Sequence, residues 1–476
     1  MSFLGLIALS VILVIAFLHA PRDWQGRRPI LSAYVVVLIA VSLYILLPSV
    51  LIVTSGGYTW APDYYSESTF SRALGLCILA LLAFLYGNAI SRRRQSRREI
   101  AAAEEDIENE GPLLTQQSTN LLLFGLLAAG IALKVYFIVA TGGIEHSVTR
   151  FSGYAREITG VEALSAGDIL LRTVSGIADG AATWAVLRAL RERRQEKLWM
   201  FILIATLCLS YLTIGKRLIL LLPILCVLVG VHVYRRSLTT RLLPVVLAIT
   251  VGIGFLTLSA RVFLPASVAG YAVNLNDVSY AQGSAWQFYL YSLEFASVEM
   301  ISVAMQSRST IIDFFGGTWD AMTVTNFESF LYSVPRGLWP GKPTSFYDLS
   351  YGISAALGAT PFEDPTVGYA STLIGTSFLI GGIVGVLIAM FVLGFLTARI
   401  DRLLSRRRWT DTSVIVYALA LVITFHLFRQ GTLGWTFIVS IVQQYGAIAA
   451  LLLLTISNSR TRKQPRSPAR SMVRHE

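Results

Sequence analysis

Apolar runs of about 17 to 25 residues, each closed off by a short basic segment, restrict this chain's fold more than any other feature. At about 1.5 Å of rise per helical residue, such a run spans the hydrocarbon core of a bilayer, roughly 30 Å thick. Lipid offers no partner to a free backbone N–H or C=O, so each run has to satisfy its own as a helix. Composition agrees: the 476 residues are 54% hydrophobic and only 14% charged, where a soluble domain carries about 25% charged residues. A soluble enzyme with a single anchor, a disulfide-stapled secreted domain and a disordered scaffold are all excluded. Cys77, Cys208 and Cys226 lie inside apolar runs, with neither metal-ligand spacing nor a disulfide framework.

The expected fold is an all-α polytopic membrane protein with about eleven transmembrane helices. They fall over residues 2–20, 29–53, 73–90, 120–140, 168–188, 198–214, 218–234, 242–263, 371–398, 413–428 and 432–456. Spans one to eight occupy 1–263, with a cytoplasmic linker over 91–119. One large extracytoplasmic loop covers 264–370, spans nine to eleven fill 371–456, and a basic cytoplasmic tail occupies 457–476. His19-Ala20-Pro21 leads into arginines rather than into a small-residue cleavage site, so the first span is expected to be retained.

Orientation follows from the basic residues, which collect on the cytoplasmic side of membrane proteins. Every second connection is arginine-rich: Arg22 to Arg28, Arg92 to Arg98, Arg188 to Lys197, Arg235 to Arg241, Arg399 to Arg408 and the tail from Arg460 to Arg474. These six segments hold more than two thirds of all Lys and Arg. The alternation predicts an N-terminus outside and a C-terminus in the cytoplasm. It also accounts for the formal charge of +11, since each cluster abuts an apolar span and meets anionic lipid rather than nucleic acid. The linker turns acidic at Glu104, Glu105, Asp106, Glu108 and Glu110, as a solvated segment would.

The outer segment Leu264 to Ala370 is too apolar and aromatic to be disordered. Trp286, Phe288, Tyr289, Tyr291 and Phe295 predict an interfacial or re-entrant helix, because aromatic rings favour headgroup depth. A second short helix is expected from Ala321 to Ser333, ending at Pro335.

Soluble-type catalytic signatures are missing: there is no Walker loop, dinucleotide fingerprint, HExxH or nucleophile elbow. The five scattered histidines offer no ligand spacing, so neither a metal nor another cofactor is expected. The informative residues are cations on the side where the topology disfavours them. Lys134 and Arg172 fall near the outer ends of spans four and five, and Lys216 and Arg217 at a tight outer turn. Arg261 falls near the outer end of span eight, and Arg429 at the last outer turn, beside His426. Meeting at one depth, such cations would hold a lipid-linked diphosphate at the headgroup level, or the anionic substrate of a transporter. For each the alternative is a snorkelling side chain or a local ion pair, as Arg172 and Asp179 would make seven residues apart on one helix face. In the outer segment, Pro335, Pro340 and Pro343 fix the directions of Arg336, Trp339 and Lys342. An indole beside cations suits a sugar ring next to a phosphate.

The stretch Val334-Pro335-Arg336-Gly337-Leu338-Trp339-Pro340-Gly341-Lys342-Pro343 resembles the outer-loop pattern of oligosaccharide repeat-unit polymerases, the Wzy-type O-antigen polymerases. The layout is similar too: many spans, a large late outer loop, then a span rich in glycine (Gly375, Gly381, Gly382, Gly385). The resemblance implies a fold like the GT-C-type membrane glycosyltransferases and a place in the bacterial cytoplasmic membrane. The implied substrate is an oligosaccharide on undecaprenyl diphosphate, with a chain-length regulator and a flippase as partners beside membrane lipid. In that chemistry Arg217, Arg336 and Arg429 would stabilise the leaving diphosphate, and Glu363 or Glu294 would take the acceptor proton. Lys216, Arg261, Arg172, Trp339, Lys342 and His426 would bind substrate. Other candidate acids in the outer segment are Glu299, Asp313, Asp320, Glu328, Asp348 and Asp364. The competing reading is a transporter or flippase for lipid-linked glycans, which calls for deeper charges and usually repeated architecture. An O-antigen ligase-type protein would carry a histidine in the outer loop, and Leu264 to Ala370 has none.

Overall fold

The computed structural model describes residues 2–22, 26–54, 65–93, 116–144, 166–214, 218–235, 237–242, 297–324, 349–357, 369–405 and 409–432, with a few single positions besides. Among these the protein is helical, and its sole β contact is the isolated bridge Pro29–Thr239. The helices are α1 (Ser2–Leu18), α2 (Ala33–Thr54), α3 (Glu67–Arg93), α4 (Gln116–Ala140), α5 (Ala166–Ser175), α6 (Ile177–Glu192), α7 (Glu196–Ile214) and α8 (Leu218–Tyr234). They continue with α9 (Ser297–Gln306), α10 (Arg308–Phe314), α11 (Thr318–Thr323), α12 (Leu349–Ala356), α13 (Thr372–Asp401) and α14 (Asp411–Gln430). Five described stretches are long and apolar enough to cross a membrane: Ala33–Thr54, Glu67–Arg93, Leu121–Ala140, Thr372–Leu404 and Asp411–Gln430. Shorter apolar helices accompany them. The expected spans 242–263 and 432–456 lie almost wholly outside the described residues, as do the linker and the tail.

Three helices depart from a plain rod for local reasons. In α2 the backbone widens into a π-turn over Ser42–Leu46 just before Pro48. A proline ring clashes with the carbonyl four residues back, here that of Tyr44, and the wider turn makes room for it. The expected fifth span is broken at Gly176 into α5 and α6. The expected ninth span, α13, is interrupted at Gly382, whose φ of 59° and ψ of −150° lie in a region that only glycine enters at little cost.

Packing falls into three groups. The main core joins α1, α2, α3, α8, α13 and α14 through residues such as Leu38, Phe84, Val229, Met390 and Tyr417. A second cluster joins α4, α6 and α7 around Leu127, Ala182, Val186 and Leu203. The third packs the outer-segment helices α9 to α12 on the first turns of α13, through Val303, Ile311, Ala321, Ile353 and Leu379. The expected helix 321–333 begins earlier, at Thr318, and 325–348 lie outside the described residues.

The α3–α13 contact depends on two glycines. A Cβ at Gly87 would strike the carbonyl of Phe391, and one at Gly394 would strike that of Phe84. Asn88 donates to the Gly394 carbonyl and to Thr397 Oγ1, both at 3.2 Å. Small residues at a crossing let two backbones touch, which replaces the hydrophobic drive that lipid cannot supply. Gly394→Val should therefore cost about 1–3 kcal/mol through overpacking, seen as a lower unfolding temperature in detergent. Gly75→Ala, on an open face of the same helix α3 with nothing within 4 Å of its Cβ, should leave that temperature unchanged or raised.

Residues of the arginine-rich segments form one connected set of contacts at one end of the bundle. Thr240 N donates to Arg28 O, Ile30 N to Leu238 O, and the Arg92 guanidinium lies 5.0 Å over the Tyr34 ring. Arg191 pairs with Asp411 at 3.2 Å, Tyr234 donates to Asp411 at 2.9 Å, and Arg235 pairs with Glu196. The outer-segment helices meet the opposite end.

Candidate functional site

At that opposite end, α9 brings Glu299 down into the bundle. Glu299 is 2% exposed and accepts a 2.6 Å hydrogen bond from the Tyr65 hydroxyl. Two turns on, Gln306 accepts from Thr69 Oγ1 at 2.8 Å. Positions 299, 302 and 306 lie on one helical face, so a single polar stripe fastens α9 to the start of α3. Asp313 and Asp320, the other described acids of the outer segment, are exposed.

Arg308 opens α10 and donates through Nε to the carbonyls of Phe378 and Leu379, at 3.2 and 3.1 Å. An unbroken α13 would offer those carbonyls to the N–H groups of residues 382 and 383. Gly382 departs from helical geometry just beyond them, and the guanidinium donates to both carbonyls there. Just past the break the helix turns its side chains to lipid, with Ile383 53% and Val384 65% exposed. Sequence reading gave Arg308 no role. Arg308 lies 70 residues from Phe378 along the chain, and nothing linear places it beside that span's break.

Arg429 sits in the last turn of α14, where a cation is favoured by the helix dipole. The helix ends at Gly431, left-handed at φ 78°, whose N–H bonds Leu427 O. No side chain would fit there, since a Cβ would run into Thr376 of α13. The Arg429 guanidinium lies 5.6 Å from the Tyr44 ring centroid, a cation–π distance, and Tyr44 is on the π-turn of α2. His426, one turn earlier, is buried at 9% exposure. α9 touches the same π-turn, so Arg429 and Glu299 stand on elements that share a neighbour.

Lys134 does not belong to a substrate-holding set. It is wholly buried, with Nζ 3.3 Å from Asp179 Oδ2 and 2.6 Å from Ser210 Oγ. Ser210 in turn donates to Asp179 Oδ1 at 2.6 Å. The three side chains, from α4, α6 and α7, close on one another and neutralise the cation inside the bundle. The same contact corrects the expected Arg172–Asp179 pair. Gly176 ends α5 between the two residues, and Asp179 gives its carboxylate to Lys134. Arg172 itself is half-buried at the end of α5. Lys216, Arg217, Arg261, Glu294, Arg336, Trp339, Lys342 and Glu363 lie outside the described residues.

The family model for the O-antigen polysaccharide polymerase Wzy matches residues 2–464. The chain belongs to the Wzy O-antigen polymerase family. No match was found among curated proteins or among solved structures. Wzy membership implies polymerase activity, of a glycosyltransferase kind, on lipid-linked oligosaccharide repeat units. The apolar helices suit a multi-pass protein of the inner membrane. Among the described residues, Arg308 and Arg429 stand at the end of the bundle that carries α9 to α12, opposite the end where Arg191 pairs with Asp411 and Arg235 with Glu196.

Proposed function

We propose that this protein lengthens a glycan on undecaprenyl diphosphate at the outer face of the cytoplasmic membrane, with its N-terminus outside and its C-terminus in the cytoplasm. The growing chain is the donor and one lipid-linked repeat unit is the acceptor. The acceptor hydroxyl attacks the donor's anomeric carbon while the carbon–oxygen bond to diphosphate breaks. Undecaprenyl diphosphate leaves with the electron pair, and the hydroxyl proton passes to a carboxylate, for which Glu363 and Glu294 are the candidates. The broken glycosyl–diphosphate bond supplies the driving force, so no nucleotide is spent outside the cell.

The family match over nearly the whole chain carries this reading. The charge needed for the leaving group is assigned to Arg217, Arg336 and Arg429, with Lys216, Arg261 and Arg172 as further contacts and Trp339, Lys342 and His426 beside the sugar. Arg429 suits the role in two ways: its guanidinium is oriented on an aromatic ring, and it stands at the end away from the arginine-rich segments. Fixed donors at a developing negative charge cost no reorganisation during reaction, and losing one lowers the rate by about 10²–10³.

The test is chain lengthening by purified protein supplied with lipid-linked repeat units. Arg217→Ala, Arg336→Ala and Arg429→Ala should each lose about 10²–10³ in rate while inserting into membranes normally. Full activity in all three would remove the diphosphate assignment.

A further inference from the structure

Among the described residues, most large exposed apolar side chains belong to long or apolar helices suited to lipid; Trp319, in the segment between them, does not. Trp319 is 76% exposed and lies on α11 in the outer segment. Its helix reads Thr-Trp-Asp-Ala-Met-Thr, with only Ala321 fully buried, so no apolar face explains the indole.

The corner that presents it is held by backbone hydrogen bonds. α10 ends with Gly316 N donating to Asp313 O and Gly317 N to Ile312 O, both at 3.0 Å, and α11 starts with Ala321 N donating to Gly317 O. Gly316 and Gly317 take φ values of 83° and 128°, which turn the chain sharply between the two helices. Beneath the corner Ile311 and Ala321 are 0% exposed, anchored in the cluster that holds Leu379 of α13. Two exposed carboxylates share the corner: Asp320 follows Trp319 in the chain, with its carboxylate beside Gly316, and Asp313 lies in the last turn of α10; neither has an ion-pair partner among the described residues. At the other end of seven-residue α10 stands Arg308, at the break in α13.

We propose that Asp313, Trp319 and Asp320 form a carbohydrate subsite that holds a sugar ring of the lipid-linked oligosaccharide. The proposal rests on the polymerase reading above and adds where the glycan lies. An indole face offers a flat apolar surface to the C–H groups of a pyranose, and carboxylates at the same corner accept hydrogen bonds from its hydroxyls. A headgroup-level membrane anchor is the other use of an exposed tryptophan. Two adjacent carboxylates oppose it, since they would be pressed against anionic lipid.

The test uses the full-length protein in vesicles, with Trp319→Ala, Trp319→Phe and Asp313→Asn/Asp320→Asn. Exposure at this site makes the variants safe for folding, which an unchanged unfolding temperature verifies. Trp319→Ala should raise the KM for repeat units about tenfold, the loss of one stacking contact, and leave kcat within about twofold, since no reacting group is touched. Trp319→Phe should fall between Trp319→Ala and wild type. A water-soluble oligosaccharide released from the carrier should change the tryptophan emission of wild type more than that of Trp319→Phe, the difference being the Trp319 component. That binding measurement holds even if no chain lengthening occurs, so failure of the polymerase reading and failure of the subsite are separable. An unchanged KM in Trp319→Ala, no glycan-dependent emission difference, or quenching of the Trp319 component by brominated lipid would each overturn the subsite.

Discussion

Lys134→Met is expected to destabilise the protein by about 3–5 kcal/mol, because it leaves Asp179 as an uncompensated buried charge. Both side chains are wholly buried, and Ser210 completes the closed set. Methionine nearly matches the lysine stem in shape, so the cost comes from the stranded carboxylate rather than from a cavity. The double variant Lys134→Met/Asp179→Leu should recover most of the loss, since replacing a buried ion pair by apolar residues of similar size is often neutral or better. Cys77 and Cys226 are buried free thiols and report unfolding through a thiol-reactive dye. A single variant as stable as wild type, or a double no better than the single, would contradict this account. Once refolded stability is matched, the double variant should polymerise normally, which separates Lys134 from the cations assigned to the diphosphate.

Asp401→Ala should cost a similar amount, about 3–5 kcal/mol, for a different reason: three donors lose one acceptor. Asp401 sits at the far end of α13, yet its Oδ1 accepts from Ala33 N at 2.6 Å and its Oδ2 from Tyr34 N at 3.1 Å. Those are first-turn N–H groups of α2, which have no partner within their own helix. Tyr417 of α14 also donates to Oδ1, at 3.2 Å. One carboxylate thus ties three membrane helices at the arginine-rich end, beside the Arg92–Tyr34 contact. Asp401→Asn keeps an acceptor and should cost less than Asp401→Ala. The dye-monitored unfolding temperature decides the ranking, and equal temperatures for Asp401→Ala and wild type would refute it.

The helices themselves were legible in the linear pattern. The expected spans at 2–20, 29–53, 73–90, 120–140, 198–214, 218–234, 371–398 and 413–428 each correspond to a helix with ends shifted by a few residues. Two breaks were not legible. Glycine at 176 and at 382 looked like any glycine in an apolar run, because a glycine tolerates a break without demanding one. The outer segment was the hardest part. Short helices such as α10 and α12 carry no long apolar run, and what fixes them is burial against α13.

For the site, sequence could say only that certain cations stood on the disfavoured side of the membrane. It could not separate Arg429, set on the ring of Tyr44, from Lys134, neutralised by Asp179 and Ser210, since their linear contexts are alike. Nor could it single out Glu299, buried on the Tyr65 hydroxyl, among the acids of the outer segment. Hydropathy and the arginine alternation determined by themselves that this is a multi-pass helical membrane protein, and where its helices run, because lipid acts on each segment independently. Which charges are spent inside the fold and which remain to meet a substrate was decided only by tertiary contact, because a buried ion pair depends on partners that lie tens to hundreds of residues apart along the chain.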